Sequence, residues 1–148
     1  MKLRHDMLTH GVYAICAQHA GQPAGLAVAW ATQVGTDEIL ICVGGQSATR
    51  EVILVSEAFG LSALRQDQVA LARAFGRQSS RDVDKFASLD YHTAETGSPL
   101  LDDCGATFDC QVESVYDHGS QKLIVGRIVA AEMRQEGYEP LIYSEDDY

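Results

Sequence analysis

The sequence predicts a mainly β fold, an antiparallel barrel closed or nearly closed on itself, with helical insertions. Three observations carry this. Many short apolar or alternating runs are separated by glycine and proline turn signals. One long hairpin stands out near the C-terminal end, and only two stretches carry apolar residues at helical spacing. This pattern suits a barrel better than a layered α/β fold. At 148 residues the chain is read as a single domain, 1–148, a length at which folding buries about 68–70% of the unfolded surface.

The elements follow in order. Val12-Tyr13-Ala14-Ile15-Cys16-Ala17 is a β-like run ended by the turn signal His19-Ala20-Gly21-Gln22-Pro23. The next strand, residues 24–32, is rich in small side chains and carries the chain's single tryptophan, Trp30. Gly35-Thr36-Asp37 breaks it before the apolar strand Ile39-Leu40-Ile41-Cys42-Val43. Residues 44–49 form a loop in which Ser47 or Thr49 can cap a short helix through 50–54. A strand over 59–64 precedes a helix opening at Asp67, whose Val69, Leu71, Ala72 and Phe75 share a face and whose stop is Gly76. Residues 77–87 are polar and basic. From 106 to 116 the alternation is strand-like, with Phe108, Cys110 and Val112 on one side and Asp109, Gln111 and Glu113 on the other. Asp117-His118-Gly119-Ser120 turns the chain into a second long strand, 123–129, and 141–143 adds a last short one.

Composition narrows the partners. A formal net charge of −10 repels nucleic acid and anionic membrane surfaces. No apolar h-region opens the chain and no run of about 18 apolar residues occurs, so a cytoplasmic protein is expected. The acidic stretch Ser144-Glu145-Asp146-Asp147 is a solvated tail or a docking patch for a basic partner. The four cysteines, Cys16, Cys42, Cys104 and Cys110, form no C-x-x-C pair and are read as structural thiols, with no metal site.

Chemistry is absent in the usual places. No nucleophile–base pair, dinucleotide-binding glycine pattern, phosphate loop or His/carboxylate cluster is found, so no catalytic side chain is assigned. Such a protein can still move electrons or hydride if a cofactor carries the reactivity.

The residues themselves then resemble a known family. The stretch Gly25 through Asp37, followed by an apolar strand and Ser47-Ala48-Thr49-Arg50-Glu51, is similar to the signature of flavin reductase-like, FMN-binding split barrels. Phe59 to Leu64 resembles the family's F-x-V-N-V-L strand, Gln68 to Gly76 its Q-x-x-L-A-x-x-F-G helix, and Ser80 to Phe86 its G-R-D-x-D-K-F loop. Gly97-Ser98-Pro99-Leu100-Leu101, Asp109-Cys110 and Pro140-Leu141-Ile142-Tyr143 match G-x-P-x-L, E-C and P-L-x-Y in order. The Arg81 loop and Gln33-Val34 look closest to the flavoredoxin-like branch.

The resemblance implies an antiparallel split β-barrel homodimer with FMN near the interface, its ring on the small-residue strand and its phosphate in the loop after the third strand. It points to Ala27, Ala29 and Ala31, whose slim side chains let backbone groups approach the ring edge, and to Thr32 and Gln33, which would hydrogen-bond the pyrimidine side of the ring or simply end a strand in water. Trp30 would pack on the ring or on a partner subunit, or belong to the core. Ser47 and Thr49 would meet the phosphate, or simply cap the helix. Arg81 and Lys85 would bring positive charge to the phosphate or the reduced ring, or line a solvated face. Ser62 stands where the family has asparagine and cannot offer both amide groups. Two further departures occur: Gly35-Thr36-Asp37-Glu38-Ile39 lacks the diproline turn, and Gly119-Ser120-Gln121 replaces G-D-H, so no imidazole titrates there.

Three functions remain open at this point. One is a reductase passing hydride from NADH or NADPH through flavin N5 to an acceptor. Another is an FMN electron-transfer module reduced by another redox protein. The third is a split-barrel binding protein without catalysis.

Overall fold

The computed structural model describes residues 1–45, 47–77, 79–80 and 84–147. Nine strands run through it: β1 (Tyr13–His19), β2 (Gln22–Val28), β3 (Ala31–Gln33), β4 (Glu38–Gly44), β5 (Ala58–Ala63), β6 (Tyr91–His92), β7 (Leu100–Leu101), β8 (Ala106–His118) and β9 (Gln121–Met133). Helix α1 (Ala48–Ser56) lies between β4 and β5, and α2 (Val69–Arg77) follows β5 after the 3-10 turn Gln66–Gln68.

Seven strands make one antiparallel sheet in the order β2-β1-β5-β8-β9-β4-β3. Its two outer strands, β2 and β3, are consecutive in the chain and joined only by Ala29-Trp30. That short link forces the sheet to curl until its ends meet, which makes the mainly β, antiparallel split barrel. The Cys42 N–H donates to the Trp30 carbonyl at 2.9 Å, which carries the β3–β4 ladder one pair past Ala31–Ile41, up to the closure.

One face of every long strand fills the barrel. Ile15, Val28, Ile41, Phe59, Cys110 and Ile124 are buried there, and Ile53 of α1 packs among them. Gly126 belongs to this packing, because a Cβ there would stand 2.6 Å from the Phe59 ring. On the outer face Ala14, Cys16 and Leu64 meet Phe75 of α2, Phe86 and Leu101 in a second apolar layer.

The hairpin β8–β9 pairs His118 with Gln121, which leaves a two-residue loop, Gly119-Ser120, with Gly119 at φ +60°. A glycine at the first central position fits the hairpin's twist. The loop is shorter than the four-residue turn expected.

Other elements also differ from expectation. The strand expected over 24–32 is two strands, because the chain must cross the barrel closure at Ala29-Trp30. Helix α1 starts at Ala48, with the Ser47 hydroxyl accepting from the Arg50 N–H at 3.0 Å. Helix α2 runs past Gly76 to Arg77. The stretch 141–143 forms only an isolated bridge, Gly11 to Ile142. The alternation of β8 puts Asp109 on its polar face, yet Asp109 is fully buried. The Thr96 N–H (2.8 Å) and hydroxyl both donate to its carboxylate, so the loop before β7 covers that face.

Candidate functional site

The barrel closure is incomplete. β2 pairs only with β1, and the pairing of β3 with β4 ends at the Cys42–Trp30 bond. Above that point the edges of β2 and β4 face each other across an open seam holding a hollow of about 220 Å³, and a second hollow of the same volume adjoins it between β2 and α2. Ala27, Val28, Ala29 and Tyr143 are common to both hollows. Cys42, Val43 and Gly44 form the facing wall of the first, with Trp30 beside them. His5 and Tyr143, from the two ends of the chain, close it from above, and Gly76 and Arg77 of α2 line the second.

Ladder alternation shows where free backbone groups lie. The Gly25 N–H donates to the Ser80 hydroxyl (3.1 Å), which donates back to the Gly25 carbonyl (3.2 Å), so Gly25 turns its backbone away from β1. Antiparallel pairs alternate between bonded and non-bonded. Ala27, two residues on, therefore also turns its N–H and C=O away from β1 and into the seam. On β4, Cys42 donates toward Trp30, so Gly44 faces the seam by the same rule. Among the described residues these Ala27 and Gly44 groups have no hydrogen-bond partner. The seam thus offers slim walls and opposed backbone donors and acceptors, a fit for a flat heterocycle with polar edges.

The expected ring residues divide between two places. Ala29 and Trp30 line the seam. Ala31, Thr32 and Gln33 line a separate, largely apolar hollow of about 140 Å³ at the barrel mouth, with Tyr13, Leu61 and Phe108. Gln33 also spends its amide N–H on the Thr36 carbonyl at 3.1 Å.

Ser47 and Thr49 sit at the start of α1, with Thr49 buried. Next to Gly45, a further hollow of about 220 Å³ is lined by Arg50, Ser120, Gln121 and Lys122. Arg50 donates to the Ser120 carbonyl at 3.2 Å, and Lys122 pairs with Asp117 at 2.5 Å. Gly44 and Gly45 are neighbours, so this cationic hollow continues the seam toward the helix N-terminus.

Two further expected residues, Ser62 and Lys85, also lie away from the seam. Ser62 is fully buried, and its hydroxyl accepts from the Leu101 N–H at 3.0 Å, fixing β7 to β5. Lys85 donates to the Gly25 carbonyl (2.7 Å) and the Phe75 carbonyl (2.8 Å), a cation at the last turn of α2. Burial lowers its pKa. Arg81 lies outside the described residues.

Sequence reasoning missed His5 and Tyr143, because only the folded chain brings its two ends to β2, and Arg77, because only packing sets the end of α2 against that strand. Burial raises the Tyr143 phenol's pKa, and Glu145 and Asp6 add to the effect. Burial also raises that of the Cys42 thiol, whose Sγ lies 3.4 Å from the Gln121 side-chain oxygen. Among the described residues no group of three or more His, Cys, Asp or Glu could hold a metal, and no helix is long and apolar enough to cross a membrane.

Comparison with known proteins gives a consistent result. Residues 3–148 match the family described as Flavin reductase like domain. The chain is 30% identical over 141 residues to a protein named high molecular weight rubredoxin from Moorella thermoacetica, covering 93% of this chain and 61% of that protein. It is therefore matched to part of a longer relative. It is 32% identical over 141 residues to the reductase subunit HsaB of a flavin-dependent monooxygenase from Rhodococcus jostii, covering 93% of this chain and 70% of that one. An FMN-binding protein from Thermus thermophilus superposes with a TM-score of 0.91 at 19% identity, covering all of this chain and 89% of that one, which shows a shared fold.

Proposed function

The chain belongs to the flavin reductase like domain family, and from that membership we propose that it is a flavin-dependent oxidoreductase that holds FMN in the seam between β2 and β4. Relatives named as flavin reductases or reductase subunits support the reaction class. The observation that carries the site is the pair of unpaired edges, with Ala27 and Gly44 turning free backbone groups toward each other over a floor of small side chains.

In this reading the backbone of Ala27 and Gly44 bonds the polar edge of the ring, and Trp30 borders it. The Ser47 hydroxyl, the first N–H groups of α1 and the Arg50 guanidinium take the phosphate. Thr49 supports this loop from inside. Thr32 and Gln33, at the barrel mouth, take part only where the ring extends past Trp30. A bound flavin supplies the electron chemistry; the protein binds it, orients it and keeps water from its face. No proton-transferring side chain is assigned.

NADH or NADPH is the donor in the first version of this reading. The second version, an electron-transfer module reduced by another redox protein, is favoured by Gln121 where an imidazole is absent and by the rubredoxin-named relative. We read residues 1–148 as one unit, working as a homodimer in the cytoplasm. Trp30, 39% exposed beside the seam, and Val34 give a second copy an apolar surface to cover. The four free cysteines suit a reducing compartment.

The test is an anaerobic titration of the flavin-loaded protein with NADH and then NADPH. Bleaching of the flavin absorbance supports the reductase. No change with either nucleotide, but reduction by a reduced rubredoxin, supports the module. A protein that retains no flavin at all refutes both.

A further inference from the structure

The two ends of the chain meet directly above the seam, and they are joined by charge. The Arg4 guanidinium reaches Asp6 at 2.9 Å, Asp146 at 3.1 Å and Glu145 at 3.7 Å. The Asp6 carboxylate accepts the Glu145 N–H at 3.0 Å. Its bond to Arg4 holds the Asp6 pKa well below the usual carboxylate range. Glu145 in turn lies 3.3 Å from the His5 Nδ1. The product of this network is one contact: the His5 ring stands edge-on to the Trp30 indole, with centroids 5.6 Å apart and planes at 88°.

The His5 side chain is 64% exposed, so it is not core packing, and among the described residues its partners are Glu145 and Trp30. It nevertheless lines the same hollow as Ala27 and Gly44. Edge-to-face rings have a defined geometry, so an imidazole held in this way limits how the neighbouring indole can turn.

We propose that residues 4–6 and 143–147 form an ion-paired clasp over the seam, and that His5 is a positioning residue of the flavin site, holding Trp30 as its wall. The proposal rests on reading the seam as the ring site. Exposed ion pairs weaken as salt rises, so the clasp loosens at about 1 M salt, where the screening length is about 3 Å. Trp30 then gains freedom to turn, and flavin leaves faster.

Trp30 is the chain's single tryptophan, so its emission reports the contact in flavin-free protein. Emission is recorded at low and about 1 M salt for wild type, His5→Ala and the double variant Glu145→Gln, Asp146→Asn. FMN release is then timed by stopped flow. The expected result is a salt-dependent emission change in wild type that both variants abolish, with FMN release about three- to tenfold faster in both at low salt. Identical emission in wild type and His5→Ala overturns the proposal. So does altered emission with an unchanged release rate, which leaves a clasp that plays no part in the site. Wild type whose emission responds to salt but which never binds FMN shows instead that the seam reading has failed.

Discussion

Lys85 offers the sharpest choice between a structural and a ligand-binding cation. Replacing it with methionine keeps the apolar stem and deletes the ammonium, which joins the Gly25 carbonyl of β2 to the Phe75 carbonyl of α2. Each hydrogen bond to a charged group contributes about 1.5–3 kcal/mol. Burial of the ammonium opposes that gain, as its lowered pKa shows, so the net loss for Lys85→Met is about 3 kcal/mol. In a domain of this size that lowers the midpoint of thermal unfolding by about 6–12 °C. The sign with pH follows from the same burial. Between the lowered pKa and the ordinary lysine value the unfolded chain binds the extra proton, so wild-type stability rises with pH across that interval. The variant lacks this slope. Thermal unfolding and FMN affinity are measured together, with riboflavin as the phosphate-free control. A midpoint within about 2 °C of wild type, with FMN binding reduced to the level of riboflavin, would refute the reasoning and return Lys85 to the phosphate.

Three other outcomes are expected. Ala27→Pro deletes an N–H that faces the seam rather than β1, a position where an edge strand tolerates proline; FMN affinity should fall about tenfold by titration, the loss of one hydrogen bond, with the ladder to β1 intact by circular dichroism. Burial pushes the thiols of Cys16 and Cys110 up to about 12 and that of Cys104 to about 11. Only Cys42 should therefore alkylate readily at about pH 8, and bound flavin should slow it; mass spectrometry locates the label, and rapid labelling of Cys104 would contradict the burial. Asp109→Ala leaves the half-buried Thr96 N–H without its acceptor, which costs about 1–3 kcal/mol and should appear in urea unfolding as a lower midpoint.

The sequence made the strongest repeating patterns legible and the tertiary ones illegible. The β8–β9 hairpin shows because its alternation is long and its turn carries a glycine. β6 and β7 have two residues each, too few for any period to register. Asp109 follows the alternation yet lies buried, because Thr96, thirteen residues earlier, covers it with two donors. Of the candidate site, the small-residue strand and the Ser47 cap could be read locally. Lys85 could not, since its partners are carbonyls, which every residue has. The seam itself is a property of sheet order: only closure of the barrel sets β2 against β4, and only then do His5 and Tyr143 from opposite ends of the chain reach it.

The central claim is that a flavin occupies the seam beside Trp30. Titrating FMN into flavin-free protein while following tryptophan emission tests it directly, because that emission has one source. The account predicts saturable quenching that is complete at a single flavin per chain and is weakened by Ala27→Pro. Emission that stays constant while the flavin's own spectrum shows it bound would place the ring elsewhere and contradict the account.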